Sequence, residues 1–582
     1  MLLQKCKEEW KTLLILLVIF IFALWKNMLG FQCDEAYTIA LGDMIARGDA
    51  MFKEIWSSLQ MSGIFAALFI RVYAKIVVGG GTEGILLFFR VISVCIQAAV
   101  SIYFYLSFVK GGFNKKSVLY ASIVFFLFVP DFQTFCYKTV MFWMGALEIV
   151  YVYRFYLTKK NRYLVALGLA ISASVLVYPT TVIELPVYLF IIFALMKNKE
   201  TVQEKGKHCI KYWLIIIGTC IVCAFLFLFF VFSRCGVTDF LIHFPKVFQD
   251  ENLDTSFLTK LLHPLAKYLA MGCMALFPVI VYSRIEIVRK TVDKLRLPVI
   301  TILLWLAFLG QCYIERSGVT WHCLVYPYAL TLFWVPVLCF AYKERIIVLL
   351  FEIPALTIVL CIAVASNQGN LVSMYGSVFA VMGFLLLLGE NWGDGEIVLF
   401  RKERGLIVMS IFVFISCMSI PVWDQETVMV EHKAGSIFTP RVEVPYGPAK
   451  GCRMGIPSYA EYENICFAVE ANVTEGDKVC IIDNSNASSY GYLCSRGEYA
   501  VYSPQGGHGT GLNDTIVEYY EENPQKSPTV VLIRLSYIEQ SIEEYICDTS
   551  FGQYLEKNGY KKVSSDGEYV VFRRETLLDS GL

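Results

Sequence analysis

Long runs of apolar residues recur along most of this 582-residue chain, and they constrain its fold more than any other feature. A bilayer core of roughly 30 Å takes about 17–25 apolar residues per helix, and about thirteen such runs precede residue 423. Composition agrees, because 57% of the residues are hydrophobic and only 17% are charged, whereas about 25% are charged in soluble proteins. The sequence therefore predicts a polytopic, all-α membrane domain over residues 1–423.

The predicted spans have approximate bounds, and some of them are short. They cover residues 12–30, 85–109, 117–133, 138–157, 163–178, 181–196, 212–233, 268–283, 298–311, 324–342, 346–364, 374–388 and 405–422. Lysines precede the first run, but no convincing small-residue cleavage site follows it. We therefore expect an uncleaved first span.

The distribution of basic residues predicts the orientation of these spans, because cytoplasmic loops collect lysine and arginine. Alternate connections that begin with the amino end hold twenty-five of these residues, and the remaining connections hold ten. We expect a multi-pass protein of the cell membrane with a cytoplasmic amino end and an extracytoplasmic carboxyl end.

Composition excludes several classes of protein. Fifty basic residues balance fifty acidic ones, which gives no indication of a nucleic-acid partner. Most of the nineteen cysteines lie in apolar stretches, where cysteine serves as a small hydrophobic residue and not as part of a disulfide framework.

After residue 423 the pattern changes to alternating polar and apolar residues with turn signals. Buried strands are predicted at 478–483 and 529–534, amphipathic helices at 513–522 and 541–557, and a terminal hairpin from strands 559–563 and 568–573. The sequence thus predicts a soluble, extracytoplasmic α/β domain over residues 424–582.

Two adjacent carboxylates, Asp34 and Glu35, open the predicted first outer loop, residues 31–84. Charge next to hydrocarbon is costly unless it is used, which favours a functional interpretation. The alternative is a helix cap, in which Asp34 accepts hydrogen bonds from free backbone amides.

The order of features here resembles the GT-C superfamily of polytopic glycosyltransferases, in particular the branch of the protein O-mannosyltransferases and the bacterial aminoarabinose transferase. The shared features are one span, an outer Asp-Glu pair, interfacial helices and a second span that carries an arginine in Phe88-Phe89-Arg90. The resemblance covers the first ~110 residues by motif and the rest by layout.

The resemblance implies an enzyme that transfers a hexosyl or pentosyl group from a polyprenyl-phosphate carrier to an envelope glycan, lipid or protein. The catalytic carboxylate falls on Asp34, with Glu35 beside it. A second acidic residue of an early outer loop falls on Asp131, whose alternative interpretation is a turn residue after proline. A single displacement of this kind inverts the anomeric carbon.

Basic and aromatic residues at the outer ends of later spans are the candidates for binding the carrier. They are Arg90, Lys138, Arg316, His322 and Tyr326. Lys138 either faces the carrier phosphate or extends to the lipid headgroups. His322 stands where related enzymes more usually have arginine, and an interfacial histidine is its alternative interpretation.

The large predicted outer loop, residues 234–267, resembles the gating loop of GT-C enzymes. It contains His243 and His263 near carboxylates, but a spacing of twenty residues is not that of a metal-ligand motif. No cofactor is predicted from the sequence. A bound divalent metal is the alternative that the sequence leaves open.

Two other classes of function fit a chain of this kind. A transporter or flippase of lipid-linked sugars also needs many spans, but it places ionisable residues near mid-membrane, where only Glu148 and Glu184 stand out here. A non-catalytic scaffold leaves the paired carboxylates unexplained. The sequence therefore favours the glycosyltransferase.

Overall fold

The computed structural model describes most of the chain, with gaps. The described residues are 2–30, 33–76, 81–128, 134–196, 202–247, 345–365, 374–391, 440–483, 487–505, 511–538, 541–566 and 568–575, together with positions 259, 262 and 266.

The membrane domain is built from helices. They are α1 (Leu2–Lys26), α2 (Cys33–Arg47), α3 (Gly63–Ile76), α4 (Ile85–Lys110), α5 (Lys115–Leu127), α6 (Tyr137–Thr158), α7 (Arg162–Val177), α8 (Glu184–Met196), α9 (Val202–Phe232), α10 (Val237–Val247), α11 (Arg345–Ala365) and α12 (Met374–Asn391). A 3₁₀ turn, Pro179–Ile183, leads into α8, and α11 contains a π-helical turn, Val348–Glu352.

Five helical segments of the described residues are long and apolar enough to cross a membrane. They are Ile85–Lys110, Tyr137–Thr158, Pro179–Met196, His208–Phe232 and Arg345–Ala365. Shorter apolar helices lie at Leu14–Lys26, Arg162–Val177 and Tyr375–Leu387, where spans were also predicted. The protein is a membrane protein, as predicted. The predicted spans at 268–283, 298–311, 324–342 and 405–422 lie outside the described residues.

Close helix packing explains two of the glycines. A Cβ atom on Gly376 of α12 would clash with the carbonyl oxygen of Ala355 in α11, and one on Gly383 would lie 2.8 Å from Phe351 Cβ. Small residues that let backbones approach are a common basis of helix association in membranes. These two positions therefore fix how closely α11 and α12 pack.

The carboxyl-terminal region is an α/β domain, as predicted. A short ribbon pairs β1 (Arg441–Glu443) with β2 (Arg453–Gly455), and the main sheet contains β3 (Lys478–Ile482), β4 (Glu498–Tyr499), β5 (Val530–Arg534), β6 (Tyr560–Asp566) and β7 (Tyr569–Arg574). The order is β4-β3-β5-β7-β6, with β4, β3 and β5 parallel and β7 antiparallel to both neighbours. The predicted boundary at residues 423/424 lies outside the described residues.

Helices cover this sheet. They are α13 (Ile456–Asn472), α14 (Ser488–Cys494), α15 (Gly511–Glu522), α16 (Ile542–Asp548) and α17 (Ser550–Lys557). The single helix predicted at 541–557 is wrong, because Thr549 interrupts it. The Thr549 side chain accepts a hydrogen bond from the Gly552 amide at 2.9 Å and so starts α17 as a new helix.

One disulfide joins Cys466 of α13 to Cys494 of α14. It was not predicted, because 28 residues separate the two cysteines and the other cysteines lie mostly in apolar runs. The bond links α14 to α13.

Asp477, just before β3, ties the ends of three strands together. Its carboxylate accepts hydrogen bonds from Thr474 Oγ1 at 2.7 Å, Thr529 Oγ1 at 2.8 Å and Arg573 Nη1 at 3.0 Å. Burial opposes the charged form, but these donors outweigh it, so the pKa of Asp477 is lowered.

We expect Asp477→Asn to weaken the sheet by about 1.5–3 kcal/mol, the contribution of hydrogen bonds to a charged group. Because the folded pKa lies below the unfolded value of about 3.9, the stabilisation is present above that pH and is lost as the pH falls below it. Hydrogen exchange of β3, β5 and β7 in the full chain measures the effect. Glu543→Gln, at an exposed position, is the control, and equal exchange in both variants would contradict the assignment.

Candidate functional site

Helix α2 carries the Asp-Glu pair in its first turn, directly after the first apolar helix. Glu35 is fully buried and forms an ion pair with Arg90 of α4, with 2.6 Å between Glu35 Oε2 and Arg90 Nη2 and 3.1 Å to Nε. Paired, hydrogen-bonded geometry of this kind is what makes a buried charge tolerable. Asp34 is the neighbouring residue of the same helical turn.

Arg90 also fixes the backbone that precedes α2. Its guanidinium donates to the carbonyl oxygens of Asn27 at 3.0 Å and Gly30 at 3.2 Å. The same segment pairs with the soluble domain, since the Gly30 amide donates to the Arg453 carbonyl at 2.9 Å and the Arg453 amide to Met28 at 2.7 Å. One arginine thus joins α4, the end of the first helix and strand β2.

Residues of the soluble domain cover this ion pair. Cys452 and Tyr490 are buried and interact electrostatically with Arg90. Burial raises the pKa of the Cys452 thiol to about 11, although Arg90 acts in the opposite direction. Glu35 and Arg90 are therefore closed off from solvent on the side of the soluble domain.

Polar groups follow one turn after Asp34. The Tyr37 hydroxyl makes a short hydrogen bond with Ser57 and lies 3.4 Å from Ser503 Oγ of the soluble domain. Nearby, the Trp56 amide donates to the Tyr502 carbonyl at 3.0 Å. The face of α2 that follows Asp34 is thus a meeting point of the first loop and the soluble domain.

Helix α10, the start of the predicted large outer loop, joins the same surface. His243 stacks on Trp56 with 5.4 Å between ring centroids, and its Nε2 lies 2.6 Å from Glu522 Oε2 of α15. Lys53 Nζ lies 2.7 Å from Asp239 Oδ2. The predicted gating segment therefore begins with a helix that contacts both the first loop and the soluble domain.

The segment that contains Asp131 lies outside the described residues, but both of its ends are fixed. Gln97 Nε2 donates to the carbonyl oxygens of Phe125, Phe126 and Phe128 at 2.6–3.0 Å, which holds the end of α5. On the other side, Phe135 packs on Phe89 with centroids 5.8 Å apart, next to Arg90. The two ends of this segment are thus anchored on α4, the helix that holds Glu35.

Lys138 lies in the first turn of α6 and is buried. Its Nζ lies 5.5 Å from the ring centroid of Tyr137 and 5.9 Å from that of Tyr375, and Tyr137 stacks on Tyr178 at 5.7 Å. We call Tyr137, Tyr178 and Tyr375 the tyrosine cluster. Lys138 is only 3% exposed, so it does not extend to the lipid headgroups as one interpretation of the sequence predicted.

The structure brings some of the predicted site residues together and leaves others untested. Glu35 and Arg90 are in direct contact, and Lys138 follows a segment anchored next to them. Asp131, Arg316, His322, Tyr326 and His263 lie outside the described residues. Within the described part of the chain, no group of three or more histidine, cysteine or acidic residues is arranged to hold a metal ion.

The sequence did not predict which residues of the soluble domain cover α2, the first loop and α10. Ser503, Tyr502, Tyr519 and Glu522 lie more than 400 residues after the first loop or more than 250 after α10. Tyr519 packs edge-on against Trp56 with centroids 5.2 Å apart. No local pattern links such distant positions, so the sequence alone held no signal for them.

Neither a protein-family model nor a curated protein matches the chain. Solved structures do. The Archaeoglobus fulgidus oligosaccharyltransferase, in complex with Zn and sulfate, matches with a TM-score of 0.45 and 11% identity over 96% of this chain and 73% of that chain. The archaeal oligosaccharyltransferase AglB from Archaeoglobus fulgidus, in complex with an inhibitory peptide and a dolichol-phosphate, matches with a TM-score of 0.40 and 11% identity. This match covers 99% of this chain and 75% of that chain.

ArnT from Cupriavidus metallidurans in the apo state matches with a TM-score of 0.39 and 12% identity, over 97% of this chain and 98% of that chain. These proteins are GT-C glycosyltransferases, the superfamily that the sequence resembles. At such TM-scores and identities the similarity assigns no activity or substrate to this chain.

The buried ion pair gives a first prediction for this site. We expect Glu35→Gln to destabilise the protein by about 3–5 kcal/mol, because it leaves the Arg90 charge buried without its partner. In the double variant, Arg90→Met removes that unpaired charge and should recover part of the stability that Glu35→Gln loses. Thermal unfolding of the full chain in nanodiscs measures both effects.

The matched control is the exposed pair of Lys450 and Glu83, whose charged atoms are 2.8 Å apart. Glu83→Gln should cost no more than about 1 kcal/mol, as exposed pairs do. If Glu35→Gln were no more harmful than Glu83→Gln, the ion pair would not hold the loop.

Asp49, two residues after α2 ends, gives a second prediction. Its Oδ1 lies 2.6 Å from Lys526 Nζ of the soluble domain. Burial raises the pKa of Asp49 to about 6, and the attraction of Lys526 offsets this only in part. The folded state therefore keeps this proton at a higher pH than the unfolded chain, whose value is about 3.9.

We therefore expect wild-type protein to lose stability relative to Asp49→Asn as the pH rises from about 4 to about 6. Above that range the difference should be constant. Unfolding temperatures of the two proteins across pH measure it, and other titrating groups cancel in the comparison. A difference that does not change across the range would contradict the shifted pKa.

Proposed function

We propose that the protein is a membrane glycosyltransferase of the GT-C type. In this proposal it transfers a sugar from a polyprenyl-phosphate carrier to an acceptor of the cell envelope, with inversion of the anomeric carbon. The observation that carries the proposal is the fixed position of α2. A buried ion pair holds the Asp34 turn at the end of the first apolar helix, beneath the soluble domain.

Asp34 is the proposed catalytic carboxylate, and Glu35 and Arg90 are proposed positioning residues. The distinction rests on burial, because Glu35 and Arg90 already satisfy each other and are each about 1% exposed. A base must reach the proton that it removes. Asp34 is the remaining acidic residue of the motif.

The proposed reaction is a single displacement. The acceptor oxygen forms a bond with the anomeric carbon, and its proton passes to the Asp34 carboxylate. The bond between the anomeric carbon and the phosphate oxygen breaks, and its electron pair stays on the departing polyprenyl phosphate. Charge develops on the phosphate, so a cation placed there lowers the barrier.

Lys138 is the proposed cation for this phosphate. It is a buried positive charge at the first turn of α6, the end where helix α6 meets the segment anchored next to Arg90. Aromatic ring faces of Tyr137 and Tyr375 lie next to this charge. The roles predicted for Asp131, Arg316, His322 and Tyr326 remain part of the proposal.

We propose that this chemistry takes place on the extracytoplasmic side. The distribution of basic residues supports this orientation, and so does the disulfide between Cys466 and Cys494. The soluble domain, which contacts the first loop through Arg453, Tyr502 and Lys526, is proposed to close over the acceptor.

A transporter of lipid-linked sugars is the second candidate, and one observation favours it. Glu148 and Glu184 are both buried within apolar helical segments, where transporters place ionisable groups. Movement of a labelled polyprenyl-phosphate sugar across liposomes, with no transfer to any acceptor, would favour this candidate over the enzyme.

Asp34→Asn tests the enzyme directly. We expect sugar transfer from polyprenyl-phosphate donors by the purified protein in lipid to fall by roughly 10²–10⁴-fold, the contribution of a general base. Unfolding temperature and donor binding should stay unchanged, because the substitution keeps the size of the side chain.

Glu83→Gln is the matched control, since Glu83 is an exposed carboxylate near the end of the same loop. It should transfer sugar at the wild-type rate. Full activity of Asp34→Asn would remove Asp34 from the mechanism, whereas no transfer by wild type with any donor would argue against the enzyme itself.

A further inference from the structure

Two carboxyl groups meet inside the membrane domain, one on α6 and one on α8. Glu148 lies near the middle of the 22-residue helix α6, and Glu184 is the first residue of α8. Both are buried, at 0% and 1% exposure, and they interact electrostatically with each other. The proposed transfer reaction uses neither residue.

Hydroxyl groups complete this cluster from two helices. Ser174 of α7 donates to Glu148 Oε1 at 3.2 Å. The buried hydroxyl of Tyr188 in α8 interacts with both carboxyl groups. Two acids and two hydroxyl groups therefore meet in the interior of the domain, where each buried polar group needs a hydrogen-bond partner.

The described residues provide no cation for these carboxyl groups. Neither Glu148 nor Glu184 takes part in an ion pair there, and Glu148 Oε2 and both oxygens of Glu184 have no hydrogen bond of normal geometry among the described residues. The titratable groups that face them from neighbouring helices are the thiols of Cys220 in α9 and Cys361 in α11. Thiols supply no positive charge, so the neighbours described do not neutralise the two acids.

Two ionised carboxylates in a low-dielectric interior repel each other strongly, and burying each charge is itself unfavourable. A proton removes one charge and also supplies the missing donor, because a protonated carboxyl can donate to the other carboxylate. A hard cation is the alternative. It usually takes six or more oxygen ligands, and the described residues contain no group of three metal-binding side chains.

We propose that Glu148 and Glu184 form a proton-binding site in the membrane domain, with Ser174 and Tyr188 as its hydroxyl partners. At neutral pH the pair holds at least one proton, shared between the two carboxyl groups. Loss of that proton sets two negative charges against each other in the interior of the domain. This proposal does not depend on the proposed glycosyl transfer, and it would apply equally if the protein were a transporter.

Infrared spectroscopy of the full-length protein in lipid at pH 7 tests the proposal. The difference spectrum between wild type and the double variant Glu148→Gln, Glu184→Gln should contain the carbonyl band of a protonated carboxylic acid. A spectrum with carboxylate bands alone would overturn the proposal. Since glutamine resembles the neutral acid in shape and charge, the double variant should unfold at or above the wild-type temperature.

A second measurement needs no variant. Dicyclohexylcarbodiimide dissolves in lipid and reacts with protonated carboxyl groups, and the exposed side chains of Val182 and Ile183 give it access next to Glu184. Peptide mass spectrometry should find the adduct on Glu148 or Glu184. Glu352, another buried carboxyl group without a described hydrogen-bond partner, reports whether the reagent reaches the domain.

Labelling of Glu352 with none on Glu148 or Glu184 would overturn the proposal. Labelling of the pair that Na⁺ or Ca²⁺ suppresses at constant pH would assign the site to a metal cation instead. Labelling that is insensitive to both ions, together with the protonated band, supports the proton site.

Discussion

The buried ion pair between Glu35 and Arg90 is the interaction on which the arrangement of this protein depends. It joins α2 to α4, and the remaining donors of Arg90 fix the backbone at Asn27 and Gly30. Strand β2 of the soluble domain then pairs with the same backbone through Arg453. Because one side chain connects all three parts, the acidic motif, the membrane helices and the soluble domain hold a common geometry.

Much of the fold could be predicted from sequence, since apolar runs and strand patterns are local properties. The runs correspond to α4, α6 and α9, and the buried strands at 478–483 and 529–534 are β3 and β5. Local patterns failed where a single side chain interrupts an element, as Thr549 does between α16 and α17. The Cys466–Cys494 disulfide was missed because its cysteines come together only in the folded domain.

The candidate site could be predicted only in part. Adjacent carboxylates after an apolar helix, with the family resemblance, predicted Asp34 as the catalytic residue and Glu35 beside it, but not that Glu35 pairs with Arg90. Lys138 was a candidate by position, but its tyrosine neighbours come from three helical regions and from residues up to 237 positions apart. Such contacts depend on tertiary structure, which no window of sequence contains.

Photo-crosslinking tests most directly the proposed binding of a polyprenyl phosphate between the first turns of α2 and α6, both of which are linked to α4. A polyprenyl phosphate with a photoactivatable group next to its phosphate is irradiated with the full-length protein in nanodiscs, and adducts are mapped by mass spectrometry. We predict adducts in the first turns of α2 and α6, near Asp34 and Lys138, and their loss when unlabelled polyprenyl phosphate competes. Adducts that form only near Lys110 and Lys159, at the carboxyl ends of α4 and α6, and that unlabelled polyprenyl phosphate suppresses, would contradict binding at the first turns of α2 and α6.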